Sequence, residues 1–322
     1  MLLKHDAVKR LMSNPNIKLM TRNRKQAWMF TVTVYNTIYK QRHIEICALC
    51  LLLTGVLCTP MSQLLAASKT LAPHRAVYDM TLERAASSSG VTQLKGRMVY
   101  EITGNPCQGY TQRTRFVTHS IDRSGKVTIM DSRSKYWEDA IGKTFRFNID
   151  HYQNEKVKEQ STGTAKRNNA TDNVRVRISK PRRKNLDFSK NVLFPIQHSI
   201  NLLAAARRGD TVFGADIYDG SEEGRQVYAT TAIIGTSKTG AFNKALKRIQ
   251  NAATLDGLTA WPVSLSFFEP QSKRADALPS YQLDFLFYEN GVSRNLLLDY
   301  GYLSLRGELI ALELFAPTKC KN

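Results

Sequence analysis

The stretch Ala76–Ile102, AVYDMTLERAASSSGVTQLKGRMVYEI, alternates apolar and polar side chains on both sides of a small-residue turn. Ala76, Tyr78, Met80 and Leu82 fall on one face, against Val77, Asp79, Thr81 and Glu83 on the other. After Ser87-Ser88-Ser89-Gly90, the residues Leu94, Gly96, Met98, Tyr100 and Ile102 alternate with Lys95, Arg97, Val99 and Glu101. A period of two sends successive side chains to opposite faces of a strand, one buried and one wet.

Working outward, the alternation continues through Thr111–Ile121, Val127–Trp137 and Thr144–Ile149, with turn signals at Arg123-Ser124-Gly125 and Ile141-Gly142-Lys143. Near the end, Tyr281–Tyr288 and Val292–Leu298 flank Asn290-Gly291, which predicts a type I′ hairpin turn because both residues tolerate positive φ. Leu303, Leu305, Gly307 and Leu309 supply a last strand. Such strands, joined by short turns, predict a mainly β, many-stranded antiparallel open barrel or sandwich. One segment differs. His198–Arg208 lies between Pro195 and Gly209 and places Ile200, Leu203, Ala204 and Arg207 at helical spacing. It predicts one amphipathic helix that plugs or covers an open end. Phe242–Ala252 carries a weaker helical signal, and the polar Asn154–Asn173 reads as loop or hairpin tips.

The N-terminal part has a different character. Ile46–Cys58, ICALCLLLTGVLC, is an uncharged apolar run preceded by Lys40, Arg42 and His43 and followed by Ala66-Ala67-Ser68. Basic, apolar and small-residue parts in that order make a secretory signal, and the run is short of the ~20 residues a spanning helix needs. Leu57 before Cys58 argues against a lipoprotein cut. Met29 offers a simpler start. The expected organisation is 1–28 as a start-site artefact or disordered basic extension, 29–68 as signal peptide, and 69–322 as a single antiparallel β domain. Lys+Arg exceed Asp+Glu by 46 to 27, and removing residues 1–67, with nine and two, leaves 37 against 25. That moderate basic surplus suits anionic lipid, acidic polysaccharide or nucleic acid, and export disfavours the last.

Of five cysteines, Cys47, Cys50 and Cys58 fall in the expected signal, leaving Cys107 and Cys320. An even pair in an oxidising compartment reads as a disulfide, and two cysteines 213 positions apart have no local metal-site partner.

Catalytic readings are weak. Ser132-Arg133-Ser134-Lys135, Thr171-Asp172-Asn173 and Lys238-Thr239-Gly240 resemble the three elements of penicillin-recognising serine enzymes. That nucleophile should open a helix, yet Ser132 lies in a strand pattern. The six histidines show no local metal spacing, and His198, after Phe194-Pro195, reads as a capping or packing residue. No cofactor or metal motif is present. Arg175-Val176-Arg177 and Lys180-Pro181-Arg182-Arg183-Lys184 form a basic run that reads as a solvated strand and turn, with polyanion binding as the alternative.

Several stretches together resemble the EipB-type cell-envelope-integrity family of Gram-negative bacteria. They are APHRAVYD from Ala72, GRMVYE from Gly96, CQGYT from Cys107, FPIQH from Phe194 and WPVS from Trp261. YENGVSR from Tyr288, LDYG from Leu298 and the terminal Cys320 complete the set. The resemblance implies a periplasmic, spiral-like incomplete barrel with a helix near 196–208 packed into it. It also implies a Cys107–Cys320 disulfide, a role in envelope integrity and no enzymatic activity. The expected function is binding of an envelope protein, peptide or lipid on a curved sheet, with Tyr78, Tyr100, Trp137 and Trp261 as candidates to line it. A lipid or lipoprotein carrier and an envelope-directed hydrolase are the alternatives.

Overall fold

The computed structural model describes residues 70–320 apart from 190, 241–245, 247–248, 270–277, 317 and 319. The expected extension, the signal segment and most of the second helical segment lie outside the described residues.

The first half of the chain folds as β1 (His74–Ala85), β2 (Val91–Asn105), β3 (Gly109–Asp122), β4 (Val127–Glu138) and β5 (Thr144–Gln153). It continues with β6 (Lys156–Arg167), β7 (Val174–Lys180) and β8 (Lys184–Phe188). Then come β9 (Val192–Leu193), helix α1 (Pro195–Arg208), β10 (Val212–Ile217), a helical turn α2 (Ser221–Gly224) and β11 (Tyr228–Ile234). The chain closes with β12 (Lys238–Thr239), β13 (Thr259–Phe268), β14 (Tyr281–Tyr288), β15 (Ser293–Asp299) and β16 (Leu303–Leu314).

All strands join one sheet in the order β8-β7-β6-β5-β4-β3-β2-β1-β16-β15-β14-β13-β11-β10-β9, with β12 beside β13. It curls into a nearly closed, barrel-like spiral. The first and last strands are neighbours at its centre, and the chain's midpoint supplies both edges. Every pairing is antiparallel except β9 with β10, a two-residue parallel contact that the alternation pattern did not foresee. Strand parity sorts the side chains as expected. Ala76, Tyr78 and Met80 on β1 are buried, while Arg75 faces outward and bonds Glu101. On the outer faces Arg113 also pairs with Glu101, and Asp131 sits between Arg115 and Arg133.

Two hairpins correct the sequence reading. Asn154–Asn173 is largely strand β6, and its tip, Asn154-Glu155, holds both residues at positive φ (49° and 65°). That is the type I′ pattern. At Asn290-Gly291 only Gly291 has positive φ (89°), and the Tyr288 N–H donates to the Val292 carbonyl at 2.9 Å. The loop therefore has three residues, a turn followed by one left-handed glycine, because Glu289 leaves the ladder to meet Thr259.

Helix α1 starts at Pro195, which presets φ at N1, and ends at Gly209 with φ 83°. The expected single apolar face is an underestimate: none of residues 195–207 is exposed, and Ile196, His198, Leu202, Leu203, Ala205 and Ala206 are fully buried. The helix is a core element of the spiral and packs with the large cluster from β1, β2, β11 and β13–β16. A second cluster joins Phe145, Phe147, Val174 and Val176 of the first arm to Val192, Phe194 and Tyr218 of the second. No described helix is long and apolar enough to cross a membrane.

Candidate functional site

Where β8 and β9 end the sheet, three residues of chain connect them and no ladder does. The gap is bridged by side chains. Arg167, at the end of β6, donates from its guanidinium to the Val192 carbonyl (2.7 Å), the Asp172 carbonyl (3.2 Å) and the Gly142 carbonyl (3.4 Å). Its charge also lies 5.6 Å from the centre of the Phe194 ring. Further along the seam, the buried Ser161 hydroxyl donates to the Gly220 carbonyl at 2.8 Å. Gly220 has φ 78°, and a Cβ there would lie 2.5 Å from the Phe147 ring, so only glycine permits this approach.

The same seam fixes the helix. Glu138, fully buried at the end of β4, accepts the N–H groups of Ile196 (2.8 Å) and Gln197 (3.0 Å), two donors with no partner inside the helix. Burial pushes its carboxyl up to about 8, against the two N–H bonds that favour the anion. Further along α1, His198 is buried, with Nε2 2.9 Å from the Thr230 hydroxyl, which itself donates to the Ala215 carbonyl at 2.6 Å. Burial lowers its pKa to about 4, so the ring is neutral near pH 7.

Between seam and helix opens a cleft of about 750 Å³. Arg167 and Asp172 line one side, Gln197 and Asn201 of α1 another, and Phe213–Asp216 of β10 the third. That third wall is a free sheet edge. The Ile234 N–H donates a ladder bond to the Thr211 carbonyl, and the Tyr218 N–H donates to the Leu193 carbonyl. Alternation along an antiparallel pair then turns Val212, Gly214 and Asp216 away from β11. β9 covers Asp216 and Ile217 only. Among the described residues no second strand pairs with Val212–Ala215 on the side away from β11, and Gly214 presents exposed backbone without a side chain.

Cys107 and Cys320 are joined by a disulfide, with Cα atoms 5.8 Å apart. It clasps the β2–β3 loop to the tail after β16, across β1. Buried Asn105 organises both sides, accepting the N–H groups of Cys107 (2.9 Å) and Gln108 (2.8 Å) and donating to the Thr318 carbonyl (3.1 Å). The disulfide does not border the cleft.

None of the four aromatic candidates lines the cleft. Tyr78 and Trp261 are core residues, and the Tyr78 hydroxyl donates to the Ser293 carbonyl at 2.8 Å. Tyr100 lies near His74, with ring centres 5.5 Å apart, and Trp137 is covered by Arg146. Their strand parity or core packing directs them elsewhere. Ser132 sits mid-β4, Asp172 in the β6–β7 loop and Lys238 in β12, so the three enzyme-like elements lie on separate segments. No group of three potential metal ligands occurs among the described residues. Sequence reading passed over Arg167 and Glu138. Parity carried a signal for Glu138, an acid in phase with the inward Ser132 and Tyr136.

Fold and cleft define a class: a spiral antiparallel sheet closed around an internal helix, with an open edge at its seam. The chain belongs to the EipB-like family, which it matches over residues 65–316. It is 35% identical over 257 residues to the cell envelope integrity protein EipB of Brucella abortus (strain 2308), covering 80% of this chain and 89% of the relative. A crystal structure described as a β-barrel-like protein of the domain of unknown function DUF1849, from Brucella abortus, superposes with a TM-score of 0.71. It is 34% identical and covers 77% of this chain and 99% of that one.

Proposed function

We propose that this protein supports cell-envelope integrity from the periplasm, without catalysis, by holding an extended segment of an envelope polypeptide along the open half of β10. One observation carries the reading: the outward edge groups of Gly214 face a cleft and, among the described residues, meet no second strand. An incoming strand completes such an edge with main-chain hydrogen bonds, and pockets beside it select side chains. The open span Val212–Ala215 suits about four residues at roughly 3.3 Å each. The relative's name supplies the integrity role. Polar lining by Arg167, Asp172, Gln197, Asn201 and Asp216 favours a peptide over the acyl chain of a lipid carrier.

Gly214→Pro tests this. Proline removes an edge N–H while sparing the hydrogen bonds to β11, since Gly214 sits opposite Thr231 with its own N–H and carbonyl turned away. A deletion strain carrying this variant should stay sensitive to detergent although the protein folds and accumulates normally. A photo-crosslinker at Val212 should trap a polypeptide in wild type. Full complementation by a folded Gly214→Pro protein would sink the reading.

A further inference from the structure

A second concavity, about 590 Å³ in volume, lies between the β7–β8 turn and the α2 turn. Its lining brings Arg182, Arg183 and Lys184 together with Arg225 from a distant part of the chain, against one carboxylate, Glu223. Buried Ile178 forms part of its wall. The wall opposite the β7–β8 turn is fixed in place, because Glu222 and Glu223 are held in left-handed conformation and the Glu223 N–H donates to Glu159 at 3.0 Å.

The pairing of these cations is unlike that of the outer sheet. Arg75, Arg97, Arg113, Arg115, Arg133 and Arg306 each meet an Asp or Glu within 3.2 Å. Arg225 is held by Glu223 at 2.9 Å, whereas Arg182, Arg183 and Lys184 are exposed and meet no carboxylate among the described residues. Like charges crowded into a concavity repel one another, and an anion between them relieves that repulsion. Guanidinium forks match phosphate oxygens in pairs.

We infer that this cleft binds phosphate-type anions, with Arg182, Arg183 and Lys184 as ligands and Arg225 presented by Glu223. The inference is independent of the β10 edge. A phosphate could belong to a lipid headgroup or to a soluble compound. Sedimentation of the purified protein with phosphatidylglycerol–phosphatidylcholine vesicles, and calorimetry with inorganic pyrophosphate, separate the two. Retention on the anionic vesicles, absent with pure phosphatidylcholine, identifies the headgroup; pyrophosphate binding without vesicle retention identifies a soluble ligand. In either arm, R182A/R183A/K184A should weaken binding roughly 100-fold, as expected for three cations at an anionic surface. These side chains are exposed, so the variant should melt as wild type does. Neutralising Lys95, Lys135 and Lys143 removes equal charge elsewhere and should weaken binding far less. Equal loss in both triple variants, or wild-type protein that binds neither probe, would overturn the inference.

Discussion

Glu138 and Ile196 meet across 58 residues of chain, the carboxylate accepting the backbone N–H at 2.8 Å. This contact joins the end of β4 to the start of the helix. A strand from the middle of the first arm and the internal helix are therefore one unit, and the proton on that carboxyl bears on the stability of both.

The folded Glu138 carboxyl titrates near 8 against an ordinary 4.5, so the folded protein keeps a proton that the unfolded chain releases. Stability should fall as pH rises through that window and level off above it. His198 works in the opposite sense: its pKa drops from 6.5 to about 4, so stability falls as pH falls through that range. The two slopes oppose between about pH 4.5 and 6.5, and Glu138 acts alone between about 6.5 and 8. Urea midpoints there should show a loss of about 1–2 kcal/mol in wild type, at ~1.4 kcal/mol per unit, and almost none in Glu138→Gln. A flat wild-type curve would mean that the carboxyl is already ionised in the fold.

Thr230→Val should cost about 1–3 kcal/mol, because it leaves His198 Nε2 buried without a partner. Chemical denaturation at pH 7 checks this.

Arg167→Ala should loosen the seam more than it lowers global stability. Hydrogen exchange should speed up at residues 191–194 and 168–173, which the guanidinium ties together, while β1 and β16 stay protected. Arg167→Lys should fail to restore protection, since an ammonium lacks the fork that reaches separate carbonyls. Unchanged exchange in Arg167→Ala would remove its role as the seam's fastener.

Two glycines separate crowding from conformation. Gly220 (φ 78°) abuts Phe147, whereas Gly125 (φ 81°) has nothing within 4 Å of where a Cβ would sit. Both alanine variants bear a left-handed penalty of about 1 kcal/mol. Gly220→Ala should lose a further ~1–3 kcal/mol from overpacking. Equal melting shifts for the two would refute the close approach at the seam.

Cys107→Ser should cost at most about 5 kcal/mol, the chain-entropy limit for so long a loop. Asn105→Ala should cost about 1–3 kcal/mol with the disulfide intact, because three backbone groups lose their partner. Denaturation with and without reductant separates the two contributions.

Periodicity revealed the strands because burial imposes it: Tyr281–Tyr288 is recovered to the residue as β14. The helix was legible from Pro195, Gly209 and its Ala-Leu content. Its burial on every side was not, since its neighbours range from Glu138 of β4 through Thr230 of β11 to Glu289 after β14, which only the fold brings together. Asn154-Glu155 escaped notice because the flanking strands are polar, with Ser161 the first fully buried residue of β6. The cleft was illegible for another reason. It is made by what β10 lacks, a second partner along Val212–Ala215, and a strand pattern looks the same with one neighbour as with two. Arg167 looked like any surface cation until the fold brought three segments around it.

The placement of β1 beside β16, with both sheet margins supplied by the middle of the chain, has a consequence for assembly. Cutting the backbone near Ser189 would leave two fragments, each a meander of sequence neighbours, each ending in the strand the other needs. Mixed, they should reconstitute the spiral by zipping β1 onto β16. The protein can thus be treated as two complementary halves.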